Sequence, residues 1–181
     1  MDFLVLIDDW FLNKVEKICH AIQRQLGITN YGLMGVANLL IAGTVVAMAT
    51  YGIFAGSELP EKYFFTHLAI QHPNLTIFFV VLDLSCAFWA CKHAEVAAYN
   101  RLLRGLANHR KVKWNERFFR LAGYVAVPMS FLELGMSLDS FLYFLIFAFI
   151  VLDACDPLPP RRGKFWERLE AAFARFTRSL P

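Results

Sequence analysis

A carboxylate inside an apolar helix is the strongest chemical signal in this chain. Asp83 follows Leu75-Thr76-Ile77-Phe78-Phe79-Val80-Val81-Leu82 and precedes Leu84, in a stretch that otherwise carries no charge. An ionisable group there is expensive unless it meets a partner or lines a water-filled path, and so marks an ion or proton route or a subunit contact. Glu133 and Asp139 flank the turn Gly135-Met136-Ser137. Were the helix of Asp83 to pack on that hairpin, the three acids would form a cation or proton vestibule. Taken alone, Glu133 and Asp139 also suit a plain water-facing hairpin, with Asp139 favourably placed at a helix N-terminus. Asn38, accompanied by Thr44 and Thr50, puts hydrogen-bonding groups into another apolar stretch and is a candidate pathway-lining residue.

A second polar set lies at the opposite ends of the same helices: Lys92, His93 and Glu95 on one, Asp153 and Asp156 on another. Their charges predict a collar in which Lys92 and His93 face headgroups or pair with Asp153 and Asp156. Cys86, Cys91 and Cys155 are nearby, and Cys, His and carboxylate are metal-ligand types. A closed zinc site, however, uses paired ligands at short fixed spacing such as C-x-x-C, and Cys91 and His93 are two apart and point to different faces of a helix. No metal ligands are assigned and no cofactor is expected. The chain carries no serine or cysteine nucleophile motif, no G-x-x-x-x-G-K-[ST] and no H-E-x-x-H. An enzyme is not expected.

These residues need elements that hold them in a membrane. The chain is 57% hydrophobic and only 18% charged, against roughly 45–50% apolar and about 25% charged in soluble domains. An all-α integral membrane protein is expected, a single membrane domain over 1–181 with four transmembrane helices at about 32–54, 75–92, 118–134 and 138–154. The second span carries on as a helix into the cytoplasm, to about Leu106. Pro128 falls inside the third span and predicts a kink. The bundle occupies 29–156 with a cytoplasmic loop at about 99–117. Residues 1–28 form an amphipathic interfacial helix, with Leu4, Ile7, Phe11, Val15, Ile18, Ile22 and Leu26 at helical spacing and Asp8, Asp9 and Lys14 on other faces. Residues 161–181 form another. The acidic start, Asp2 with Asp8 and Asp9, does not resemble a secretory signal.

Charge sets the orientation. Of 18 Lys and Arg residues, Lys62 alone falls between the first and second spans, leaving 17 on the other side. Positive loops remain cytoplasmic, so both termini are expected inside, in a bacterial inner membrane. Arg101, Arg104, Arg110, Lys111, Lys113, Arg117 and Arg120 in the central loop, with Arg168, Arg175 and Arg178 near the C-terminus, are candidates for docking anionic headgroups or a partner. Nucleic acid is not an expected partner. Cys86, Ala87, Ala90, Cys91, Ala94, Ala97 and Ala98 form a small-residue stripe on the second helix, and Gly43 with Ala47 a shorter one on the first. Such stripes predict close packing of these two helices or a self-association face.

The expected function is that of a non-enzymatic membrane protein that self-associates, as a channel-like homo-oligomer with Asp83 in the pathway. An accessory or anchoring subunit of a larger energy-transducing, secretion or defence complex is the alternative. A metal- or haem-linked redox protein using Cys91, His93 and Cys155 is the third reading.

Overall fold

The structure is a computed structural model and describes residues 2–55, 62–106 and 113–158. Within them every regular element is helical. Helix α1 runs Asp2–Leu26 and α2 Asn30–Ala55. A short helix, α3, follows at Phe64–Gln71. Helix α4 is continuous over Pro73–Leu103, with a π-helical segment at Cys86–Ala90 between two α-helical halves. Helices α5 (Trp114–Leu134) and α6 (Leu138–Ala154) form a hairpin. Two helices, Asn30–Phe54 and Pro73–Leu103, are long and apolar enough to cross a membrane. The amphipathic segment at 161–181, with Arg168, Arg175 and Arg178, lies outside the described residues, as do Arg110 and Lys111.

Local chemistry explains the boundaries. Thr29 caps α2 by accepting the Gly32 backbone N–H at 3.1 Å. Ser137 and Ser140 make a reciprocal capping box at the start of α6. At the other ends, Gly27 closes α1 and Gly135 closes α5, each with φ near +65° to +75° (75° and 64°), where a side chain would be strained. Pro73 begins α4, where its missing N–H costs nothing. Pro128 sits inside α5, which continues through it to Leu134.

The helices pack in a row. Helix α2 is central and contacts α3, α4 and α6, while α5 packs on α6. Among the described residues the backbone of α4 comes close to neither α5 nor α6, so it is an edge helix, with Phe149 and Leu152 of α6 packed on the cluster that holds Cys91 and Ala98. Glycine sets how near it comes: a Cβ on Gly35 of α2 would lie 3.1 Å from the Ala87 carbonyl oxygen, beside the π-helical segment. Cys91 and Ala98 of the small-residue stripe are buried there against Tyr31 and Met34. Gly43 is different. Its Cβ position meets nothing within 4 Å, so the Gly43 and Ala47 pair faces outward and takes no part in the α2–α4 contact.

Helix α1 straps one end of the row, touching α2, α5 and α6. Its buried face is Asp8, Leu12, Cys19 and Gln23, half of it polar, whereas Phe3, Leu6, Trp10 and Ile18 are 59–71% exposed. Each inward polar group has a partner. Asp8 is 0% exposed and Arg120 of α5 is 1% exposed. Arg120 Nε and Nη2 donate to the two carboxylate oxygens at 2.9 and 2.6 Å, and the Tyr124 hydroxyl donates to Asp8 Oδ1 at 2.9 Å. Arg117 pairs with Asp9 at 2.9 Å. Further along, Glu16 accepts the Asp156 backbone N–H at 3.0 Å, and Gln23 both donates to and accepts from the Leu158 backbone at 2.8 Å. Phe11 packs at a tilt on Tyr124, ring centres 4.6 Å apart, next to Phe147.

Two outcomes follow for measurement of unfolding in mixed micelles. Asp8→Ala removes the carboxylate that meets Arg120 at two points and is expected to destabilise by about 3–5 kcal/mol, while Asp8→Leu combined with Arg120→Met recovers at least half of that loss. Gly35→Leu must push α4 away from α2 and is expected to cost about 1–3 kcal/mol, whereas Gly43→Leu stays within about 0.5 kcal/mol.

Candidate functional site

Because α4 packs on α2 without reaching α6, a gap remains between them. It is a cavity of about 420 Å³ between α2, α3, α4 and α6, within the size range of small-molecule sites. Ile41 and Met48 of α2, Phe65 of α3, Phe79 of α4 and Leu142 of α6 supply apolar walls. Asp83 and Asn38 supply polar groups. Asp83 is the one charged residue of the lining, and among the described residues it has no hydrogen-bond or ion-pair partner. Asn38 is buried and its Nδ2 approaches Cys91 Sγ at 3.5 Å. Thr76, also in the lining, has its hydroxyl turned back to the Ala69 and His72 carbonyls at 3.0 and 3.2 Å.

The three-acid vestibule is not assembled. The cavity takes in Asp83 but neither Glu133 nor Asp139, because α4 packs on α2 and not on the α5–α6 hairpin. Asp139 is 1% exposed and belongs to a different arrangement. Its carboxylate accepts the Phe65 and Thr66 backbone N–H groups at 2.8 and 3.4 Å and the Thr66 hydroxyl at 2.6 Å. An acid from α6 thus neutralises the open N–H groups at the start of α3. That latch holds the aromatic wall of the cavity: Phe65 packs edge-on to Tyr143 of α6 at 5.0 Å. Glu133 is exposed, and its backbone oxygen accepts from Lys62 Nζ at 3.5 Å.

At the other end Lys92 and His93 are exposed, and among the described residues neither pairs with Asp153 or Asp156. Lys92 reaches Glu95 on its own helix at 2.8 Å, three residues on, and His93 lies against Trp89 at 4.6 Å. Glu95 also accepts from the Thr29 hydroxyl at 2.8 Å, tying α4 to the start of α2. Asp153 is buried on α6, while Asp156 bonds α1 through its backbone, to Glu16 and to His20 at 2.8 Å. Local pairs at i, i+3 form without loop ordering, which is why Lys92 finds Glu95.

Two docking candidates require correction. Arg117 and Arg120 are buried, at 8% and 1% exposure, and are held by Asp9 and Asp8, so they are structural and not presented to lipid or a partner. The burial of Asp8 decides this, since its charge must be compensated once removed from water and the Arg120 fork does so at two points. Arg101 is half-buried with its guanidinium 3.5 Å from the Tyr31 hydroxyl, while Arg104 and Lys113 are exposed at the two edges of 107–112. Nor do the redox candidates converge. Cys91 lies by Asn38, His93 by Trp89, and Cys155 donates to the Val151 carbonyl at 3.4 Å and neighbours Cys19, whose thiol that contact holds below its ordinary range. Among the described residues, no group of three His, Cys, Asp or Glu side chains is placed to hold a metal ion.

The residues that the sequence pattern passed over are Asp8, Tyr124 and Asn30. Asn30 Nδ2 donates to the Leu152 and Cys155 carbonyls, both at 2.9 Å, and so caps the end of α6 from α2. In the sequence Asp8 and Asp9 stand out as the polar side of an amphipathic helix and as charges out of place for a signal segment, not as buried ion-pair partners. Compared with protein-family models, curated proteins and solved structures, the chain matches none.

Removing the Asp139 latch should free α3. Asp139→Ala is expected to speed hydrogen exchange of the Phe65 and Thr66 amides by at least tenfold, equivalent to about 1.4 kcal/mol, and unchanged exchange would show that the carboxylate does not hold α3.

Proposed function

We propose that the chain is a non-enzymatic integral membrane protein that crosses the bilayer four times, through α2, α4, α5 and α6, with both termini and the connection between Arg104 and Lys113 in the cytoplasm, and that its copies associate along α4 with Asp83 in or beside an ion pathway. The observation that carries this reading is the exposure of α4. Only 6% of its apolar window is buried within the chain, and α4 leans on one long helix alone. Water cannot be the neighbour of Ile77, Phe78, Val81, Leu84, Phe88 and Trp89 on one continuous helix. Lipid, another copy or a partner subunit suits that face.

Three further features support it. Helix α6 has 17 residues, a length of roughly 25 Å at 1.5 Å per residue, near the short limit for a span. Helix α1 carries its exposed Phe3, Leu6 and Trp10 on the face away from the protein, as an interfacial helix embedded in a leaflet would. Lys62 alone stands among basic residues on the side of α3. Asp83, without a partner on the wall of a cavity at the edge helix, gives a cation moving along that edge a counter-charge. The accessory-subunit reading draws on Arg104 and Lys113, both exposed at the expected cytoplasmic end.

The test is the native assembly. In lipid nanodiscs the purified protein is expected as a homo-oligomer, and Asp83→Asn is expected to reduce cation flux in proteoliposomes by at least tenfold. A monomer with a stoichiometric co-purifying subunit would favour the accessory role, and flux indifferent to Asp83→Asn would end the pathway idea. Topology is read separately: Lys62→Cys should react with an impermeant maleimide from outside the cell, with reporters at both termini reading as cytoplasmic.

A further inference from the structure

The cavity between α2, α3, α4 and α6 has properties that self-association does not use. Its walls are aliphatic and aromatic, its volume of about 420 Å³ suits a compact small molecule, and a single carboxylate faces into it. We propose that this cavity binds a lipophilic monocation, an apolar body carrying one delocalised or hindered positive charge, with Asp83 as its counter-ion.

Charge and shape both select that class. Half-burying a carboxylate without a partner is costly, and the cations of α4 and beside α3 lie elsewhere: Lys92 on Glu95, Arg101 by the Tyr31 hydroxyl, Lys62 near Glu133. No cation of the lining competes for Asp83, so one brought by a ligand gains the full attraction in an apolar surround. A small hydrated metal ion is poorly served, because Asp83 and Asn38 are the only oxygen-bearing side chains there beside Thr76, whose hydroxyl is already bonded to Ala69 and His72. A bulky organic cation needs no such shell. It gains from the apolar walls, and the lining supplies three aromatic rings, Phe65, Phe79 and Phe149, as candidates for cation–π attraction. An anion would meet the carboxylate as a like charge. A neutral lipid chain would fill the volume but leave Asp83 unpaired.

The site belongs to one protomer, so it stands whether or not copies associate. Binding is measured by equilibrium dialysis of the full chain in zwitterionic nanodiscs, with empty nanodiscs subtracted, using tetraphenylphosphonium and its near-isosteric anion tetraphenylborate. Saturable binding of one tetraphenylphosphonium per chain is expected, with no saturable binding of tetraphenylborate. Asp83→Asn should weaken the cation at least tenfold, about 1.4 kcal/mol. Ile146→Trp, which keeps the carboxylate but fills the cavity from a partly exposed position on α6, should weaken it to a similar degree. Equal binding of both ions to the unaltered protein would show a lipid crevice without charge selection and would overturn the proposal, even if Asp83→Asn did not fold. So would cation binding indifferent to Asp83→Asn, or no saturable binding above empty nanodiscs.

Discussion

The ion pair between Asp8 and Arg120 is the constraint on which the rest of the arrangement depends. Both partners are essentially removed from solvent, and the guanidinium meets the carboxylate in a two-point fork at 2.9 and 2.6 Å. Burying two charges costs several kcal/mol each unless geometry is good and remaining hydrogen-bond capacity is met. Here Tyr124 fills a further site on Asp8, and Arg117 adds a second cation that also reaches Asp9. The pair therefore fixes the rotation of α1 as well as its position. With Asp8 turned inward, the positions four, eleven and fifteen residues on, Leu12, Cys19 and Gln23, turn inward too, and the large apolar side chains Phe3, Leu6, Trp10 and Ile18 turn out.

That rotation organises the whole end of the molecule. Glu16, His20 and Gln23 on the inward face take up the backbone of Asp156 and Leu158 where the chain leaves α6. Asn30, just past α1, takes the last carbonyls of α6, and Thr29 joins α2 to Glu95 of α4. Polar side chains at helix ends thus stand in for the solvent that the open carbonyl and N–H groups lack.

At the other end the governing feature is small size. Gly35 brings α2 against the Ala87 carbonyl, and the helices are near enough there that no larger residue fits without displacement. Past that contact Ile41, Val45 and Met48 of α2 line the cavity, with Asp83 of α4 and Leu142 of α6 on its other walls. Asp139 keeps α3 folded over it by accepting two backbone N–H groups and a hydroxyl. An acid that reads as a pathway residue at the turn is a structural one, and the acid in mid-helix is the one left without a partner.

By itself the sequence determined the elements and the oddity of Asp83. Apolar runs punctuated by glycine and proline located α2, α4, α5 and α6, the helical spacing of apolar residues located α1, and the unbroken stretch after Trp89 extended α4 past Cys91 to Leu103. All of these are properties of neighbours in the chain, as is the cost of a carboxylate among apolar residues. Helix α3 was not legible as a helix, because its start is capped by Asp139, seventy-odd residues away, and not by its own flanks. The tertiary structure alone decided that Arg117 and Arg120 are buried, that α4 is an edge helix, and that Asp83 parts company with Glu133 and Asp139. The physical reason is distance along the chain: Asp8, which compensates the buried Arg120, stands 112 positions from it, Asp139 meets Thr66 across 73, and the Gly35 contact that seats α4 is with Ala87.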